Sequence, residues 1–496
     1  MSLDQAEAKP KSRSIEDVLK LSAKSQDFCQ LSPLENPDAL RLYYYRSMTD
    51  DAKITEFLLP ALQRHEETGD ARRLRASLPF LEVRLTSDPE IIDAKLTEGS
   101  VLVRLEKAEE PLLLVNVQND QLGLRMNNDT ENEFSVVGPK KGFVESLDVN
   151  IHLLRSQMPV SKLTVEELTI GSLSKTKVAI VYMNDVTNEE LIRTVKQRLN
   201  DINFEVVFDS SQLDQIISDH SNTPFPLFLS TERIDRVTYA IVSGQVAIFA
   251  SGSPYAVTGP SNILDFFISP EDYYLPWILG SFFRLIRIIC VFLSIFATPV
   301  YVAVLTFHFE VIPDSILVPL IESRIHVPFK PLVEVIFLEL TIELLREAGA
   351  RLPTKIGQTL GIVGGIVIGE ASVQAALTSN ILLIIVALAA LASFTTPIFK
   401  MANTIRLLRF PFILLAGLWG GLGIAAGLLL LMGHLLRLKS LGMPYLVPIY
   451  PFRRGNFADS VIRSSYQYTT KSSIFLRPKQ QRRYAPSAPK DGPADE

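Results

Sequence analysis

The stretch IGQTLGIVGGIVIGE, residues 356–370, sets Gly357, Gly361, Gly365 and Gly369 four residues apart and ends on Glu370. A spacing of four aligns small residues on one helix face, where a second backbone approaches closely. The preceding apolar segment carries Glu334, Glu339 and Glu343. Charge within apolar helices is costly and turns toward a bundle interior or a watery cavity. Membrane spanning, close packing and intramembrane charge therefore fall together in one short part of the chain.

Outward from this stretch, the 496 residues divide in texture. Up to Ser281 the chain is charged and patterned like a globular protein; from Arg284 to Leu436 it is mostly Leu, Ile, Val, Ala, Gly and Phe. A bilayer core of about 30 Å needs about 20 apolar helical residues. The expected spans are 285–307, 331–347, 356–377, 381–399 and 410–436, the last long for one pass and short for two. It reads either as one long tilted helix or, the preferred reading, as a re-entrant hairpin broken at Trp419, Gly420 and Gly421. Arg346, Arg351 and Lys355 lie in one link, and Lys400, Arg406 and Arg409 in another, which places those links on the cytoplasmic side. The chain start lacks the apolar stretch of a secretory signal, so the amino-terminal region is expected to be cytoplasmic as well.

The fold class expected is an α/β soluble region of two related subdomains followed by an all-α transmembrane domain. Residues 1–38 read as a flexible lead with one short helix, Ser14 to Lys24. Subdomain 1 covers 39–139: a strand from Leu40 to Met48, a helix capped at Thr49, Asp50 and Asp51, a helix opened by Asp88 and Pro89 and closed by Gly99, then strands Val101–Leu105 and Leu112–Val117. Subdomain 2, within 140–260, repeats the order. Its strand starts at Lys177, Thr187 caps a helix through Leu199, Phe204 to Phe208 forms a strand, and Arg233 to Val242 a helix. Val246–Ala250 then pairs with Tyr255–Thr258. Gly244 aligns with Gly99, superposing SGQVAIFA on EGSVLVRL. Between the subdomains, 140–167 reads as a bracing helix. An interfacial linker, 261–283, precedes the membrane domain at 284–437, and a basic, partly disordered cytoplasmic tail fills 438–496.

No enzyme is legible. Cys29 and Cys290 give neither a disulfide framework nor metal-ligand spacing, and His65, His152 and His220 lie far apart. There is no GxGxxG, P-loop or HExxH, so no catalytic residue, cofactor or metal ligand is assigned. The charge pattern does not point to nucleic acid. The candidate pore or gating residues are Glu339, Glu343 and Glu370, with Gln374 one turn beyond Glu370. Glu343 and Arg346, at helical spacing, form a candidate ion pair, and Glu334 reads as interfacial. Gly357, Gly361, Gly365 and Gly369 are candidate packing positions. With Gly417, Gly420, Gly421, Gly423 and Gly427 they suggest an oligomer built around an axis.

Several runs resemble a known family. They are Phe307-His308-Phe309-Glu310, Arg346-Glu347-Ala348-Gly349, Ile356-Gly357-Gln358, Ile368-Gly369-Glu370-Ala371, Arg406-Leu407-Leu408-Arg409-Phe410-Pro411 and Ser269-Pro270-Glu271-Asp272-Tyr273-Tyr274. In this order, from about residue 135 to 452, they resemble the A subunits of spore germination receptors, the GerA family. The resemblance implies a spore inner-membrane protein that works with a transporter-like B subunit and a lipoprotein C subunit. It also implies a homo-oligomer in membrane lipid, conducting monovalent cations when the B subunit senses a nutrient. A germination-amplifying member that does not itself respond to nutrients, a non-conducting scaffold and a transporter-like subunit are the alternatives left open.

Overall fold

The structure, a computed structural model, describes residues 14–33, 40–64, 71–105, 111–119, 133, 137–351, 365, 369–452, 459–465 and 474–479. In the first soluble unit, α1 (Ile15–Ser22) leads to β1 (Phe28–Leu31) and β2 (Leu40–Tyr45). A π-helical turn (Lys53–Leu58) then runs into α2 (Leu59–Arg64), followed by α3 (Ala71–Ser77), β3 (Val83–Thr86), α4 (Pro89–Glu98), β4 (Ser100–Leu105) and β5 (Leu112–Asn116). The second unit begins with α5 (Leu147–Gln157), β6 (Leu163–Ile170), β7 (Thr176–Met183) and α6 (Glu189–Asn200). It continues with α7 (Ser210–Ile216), β8 (Leu229–Thr231), α8 (Ile234–Val242), β9 (Val246–Ala250) and β10 (Ala256–Gly259). The antiparallel sheets run β1-β2-β4-β5-β3 and β6-β7-β9-β10-β8, one topology used twice.

Local chemistry explains the boundaries. The Ser14 hydroxyl accepts from the Asp17 amide and opens α1; Asp88 accepts from Glu90, with Pro89 at the first helical position, and opens α4. Gly99 and Gly244 end α4 and α8 at φ +105° and +99°, equivalent places in the two units. In the central strands alternate residues serve two cores: Val101 and Val103 face α2 and α3, whereas Leu102 faces α1 and α4. Likewise Val246 and Ile248 face α6 and α7, and Ala247 and Phe249 face α5 and α8.

Four sequence expectations differ from this arrangement. The stretch expected as a flexible lead contributes β1, which pairs with β2 at the sheet edge. Residues 140–167 are more than a bracing helix, because α5 and β6 are the first elements of the second unit, matching α1 and β1. Asn188, not Thr187, caps α6, its side chain accepting from the Glu190 amide. Residues 204–208 form no strand: the Phe204 and Glu205 carbonyls accept from amides of Ser172, Leu173 and Ser174, while β8 takes the edge beside β10.

A buried ion pair joins the units. On α5, Arg155 pairs with Asp27, both side chains about 1 % exposed. The Ser25 and Ser47 hydroxyls also donate to Asp27, each at 2.6 Å. The guanidinium lies 4.2 Å from the centre of the Tyr45 ring, and the Gln26 amide donates to Val165 O at 2.9 Å.

After a 3-10 turn (Ile263–Phe267) and α9 (Glu271–Tyr274), the helical domain comprises α10 (Trp277–Phe307), α11 (Asp314–Arg324), α12 (Pro331–Arg351), α13 (Asn380–Ser393) and α14 (Phe399–Arg437). Helix α10 packs on α13 and α14. At its start Arg284 and Arg287 both reach Asp272, and Arg284 donates to the Asp459 carbonyl at 2.6 Å, tying in the tail. Helix α14 reverses at Gly420, where φ is +60° and ψ is −136°. Phe412 and Gly427 would stand about 22 Å apart in an unbroken helix, yet a Cβ on Gly427 would meet the Phe412 ring at 2.8 Å. Both ends return to subdomain 2. Lys400 pairs with Asp214, Thr404 donates to Pro224 O, and the Thr223 hydroxyl lies 2.9 Å from His434 Nε2. One hydrophobic core runs on from Val178 and Leu213 through Met401, Phe412 and Leu435.

The reversal depends on glycine, since a Cβ at Gly420 would lie 2.8 Å from Phe307 as well as straining the left-handed backbone. Gly420→Ala is expected to cost about 1–3 kcal/mol. Thermal unfolding of the detergent-solubilised chain measures this, with Gly433→Ala, where an added methyl meets open space, as the harmless comparison.

Candidate functional site: buried charge in the helical bundle

Three glutamates on α12 meet three environments. Glu334 is fully buried and pairs with Arg324 of α11; it accepts from the Thr378 hydroxyl at 3.1 Å and the Ser379 amide at 2.7 Å. Arg324 also donates to the Tyr301 hydroxyl of α10 at 3.0 Å. Expected at the membrane interface, Glu334 is enclosed by its own chain. Its partners come from α11 and from the turn before α13, which no local spacing indicates.

One turn and more along α12, Glu339 is 2 % exposed and pairs with Arg409 of α14. Arg409 donates through Nε to Ser294 O at 2.8 Å, and through Nη2 to Ser294 Oγ at 2.9 Å and Ala389 O at 3.3 Å. One guanidinium thus ties α10, α12, α13 and α14 together. In an apolar bundle this network pairs both charges and fixes the helix register. The sequence signal was available in outline: Arg406 and Arg409 stand at helical spacing on an apolar segment, but nothing local pairs them with α12.

Glu343 stands 3.6 Å from Arg346 Nη1 and 3.7 Å from Arg406 Nε, so the structure brings together Glu343 and Arg346 and adds a second arginine. Arg346 donates to Ser393 Oγ at 3.1 Å and lies 4.4 Å from the centre of the Phe394 ring. Glu370 differs from all three. It is exposed, and Gln374 donates to it at 3.1 Å.

Of the glycine ladder, Gly357 and Gly361 lie outside the described residues. A Cβ on Gly365 would enter open space, and one on Gly369 would make ordinary contact with Leu383 at 3.6 Å. The second small-residue surface expected for an oligomer is largely used within the chain: Gly417 seats Leu332, Gly420 seats Phe307, and Gly427 seats Phe412. Among the described residues no three His, Cys, Asp or Glu side chains gather as a metal site. His152 Nδ1 meets Ser47 O at 2.8 Å and His220 Nε2 meets Arg437 O at 3.2 Å, so neither ring addresses a cleft.

Helix α10, of 31 residues, is long and apolar enough to cross a membrane, and α14, of 39 residues, is as apolar but divided into two arms at Gly420. Their outer faces leave Ile289, Phe292, Leu414, Leu418 and Leu429 exposed, an apolar surface suited to lipid.

Comparison with known proteins agrees with these features. The family described as Bacillus/Clostridium GerA spore germination protein matches residues 16–474. Spore germination protein GerQA of Bacillus cereus is 45 % identical, over 96 % of this chain and 94 % of that protein. Spore germination protein GerIA of Bacillus cereus is 43 % identical, over 95 % and 70 %. Among solved structures, the N-terminal domain of the A subunit of the Bacillus megaterium spore germinant receptor GerK3 is 22 % identical over 49 % of this chain and 91 % of that one, with a TM-score of 0.38. A family match over nearly the whole length and a relative 45 % identical along nearly all of both chains leave one assignment: the chain belongs to the GerA family of spore germination proteins.

Proposed function

We propose that the chain is the A subunit of a nutrient germinant receptor, a multi-pass membrane protein whose soluble units face the cytoplasm. It works with a transporter-like B subunit and a lipoprotein C subunit, and its copies assemble into a pathway for monovalent cations that opens when the B subunit senses a nutrient. Family membership supports the germination role, and the two long apolar helices support membrane association. The hairpin form of α14 supports the topology, because both its ends lie at subdomain 2 and so on one side.

The observation that carries the conduction reading is the distribution of acids. Glu334 and Glu339 are neutralised inside the chain, and Glu343 shares two arginines. Glu370, next to the glycine ladder, is exposed and has no cationic partner among the described residues. An uncompensated carboxylate in a low-dielectric passage concentrates cations. In this reading Glu370 attracts the ion, Glu343 is a subsidiary acid at the inner end, and Glu339 holds the frame. Gly365, where an added Cβ meets open space, faces a neighbouring copy, whereas Gly369 packs on Leu383 of its own chain.

Glu370→Gln, which keeps the shape and the bond from Gln374, is expected to slow nutrient-triggered cation release from spores by about tenfold. The measurement is potassium efflux at matched receptor levels. Unchanged efflux would remove Glu370 from the ion path.

A further inference from the structure

We propose that the arginine cluster between α12, α13 and the first arm of α14 binds an organic phosphate, specifically the headgroup of an anionic phospholipid at the inner face of the membrane. The proposal rests on the membrane reading above. Its basis is a charge count. Arg346, Arg406 and Arg409 cluster there, against Glu339 and Glu343 alone among the described acids. Arg409 is satisfied by Glu339, Ser294 and Ala389, so among the described acids Glu343 alone is left for the other two guanidiniums.

It serves neither well, at 3.6 Å and 3.7 Å, beyond hydrogen-bond length. Arg406 donates through Nη2 to Asn403, but its Nε is buried without a hydrogen-bond partner. Nearby charges do not close the account, since Lys400 is taken by Asp214 and Arg351 by Glu347. The carboxyl end of α13 offsets about half a charge, which leaves the cluster positive.

The arrangement is also preorganised. Phe394 and Ser393 fix the Arg346 plane, and both it and Arg406 flank the Glu343 carboxylate, where one tetrahedral anion would complete the two forks. The position suits a headgroup. Arg406 lies less than two helical turns beyond Lys400, which is held by subdomain 2 outside the apolar layer. Basic pockets between helices at this level take lipid headgroups.

The test uses the full chain in mixed micelles, following its unfolding midpoint as phosphatidylglycerol, phosphatidylcholine or inorganic phosphate is added. Phosphatidylglycerol is expected to stabilise the protein more than phosphatidylcholine. Arg406→Gln is expected to weaken that response about fivefold, and Arg406→Lys, which keeps the charge and loses the fork, to fall between. Arg346→Gln provides the same reading should Arg406→Gln fail to fold. A response to inorganic phosphate equal to that of the anionic lipid would keep the phosphate site and assign it to a soluble source. Equal responses to both lipids with none to phosphate, or an anionic preference undiminished in both glutamine variants, would overturn the proposal. Flotation with phosphatidylcholine vesicles tests the membrane reading separately, since it does not depend on the arginines.

Discussion

Arg409→Met is expected to deplete the folded protein from the membrane, at a cost of about 3–5 kcal/mol. The substitution leaves Glu339 buried without a counter-charge and releases Ser294 and Ala389 from the same guanidinium, so four helices lose their common tie. The penalty comes mainly from the orphaned carboxylate rather than from the lost attraction. Arg409→Met combined with Glu339→Leu is therefore expected to recover much of the stability, because an apolar pair of similar volume needs no desolvation. Immunoblots of membrane fractions and thermal unfolding in detergent measure both. If the double variant is no more stable than Arg409→Met alone, the buried carboxylate is not the source of the loss. The comparison also separates frame from function: Glu370→Gln is expected to change ion release at an unaltered unfolding midpoint, because its side chain is exposed.

The sequence discloses what is local and conceals what is distant. Asp88, Pro89 and Gly99 mark both ends of α4, and the alternation through Val101–Leu105 marks a strand with two buried faces, because capping and period-two patterning act over a few residues. The repeat was legible where Gly99 and Gly244 stand before matching strands. It was cut short because β1, β3 and β8 have four residues or fewer, too few for a pattern to register. Residues 204–208 have the composition of a strand, yet strands form only where a neighbour offers a ladder, and there β8 holds the edge.

The same division runs through the candidate site. Glu343 with Arg346 was legible because three residues span one helical turn. Glu339 with Arg409 was not, since the two stand seventy positions apart and only the packing of α12 and the first arm of α14 beside α10 brings them together. Tryptophan and two glycines signalled that α14 breaks. The use of Gly417, Gly420 and Gly427 inside the chain could not be read, because a small residue looks the same whether its neighbour is its own chain or another.

Arg155→Leu is expected both to cost about 3–5 kcal/mol and to reverse the pH dependence of stability carried by Asp27. In the native protein burial pushes the Asp27 carboxyl up. The Arg155 charge and the hydrogen bonds from Arg155, Ser25 and Ser47 outweigh this and hold it below the ordinary carboxylate range. The unfolded value is about 3.9, so a depressed folded value makes the pair's contribution fully present above about pH 4 and lost as the pH falls through the folded value. Without Arg155 the dominant remaining influence is burial, which favours the protonated acid. The folded value then lies above the unfolded one, and stability falls as the pH rises from about 4 toward neutrality. Unfolding midpoints of the full chain from pH 3.5 to 7.5, taken as the difference between variant and native protein, isolate this group from the other carboxylates. Asp27→Asn leaves Arg155 buried and unpaired, with a comparable loss of stability, but removes the titrating group and with it the reversed slope. A slope in Arg155→Leu like that of Asp27→Asn would show that Asp27 reaches water once its partner is gone, and that the junction between the two soluble units opens rather than protonates.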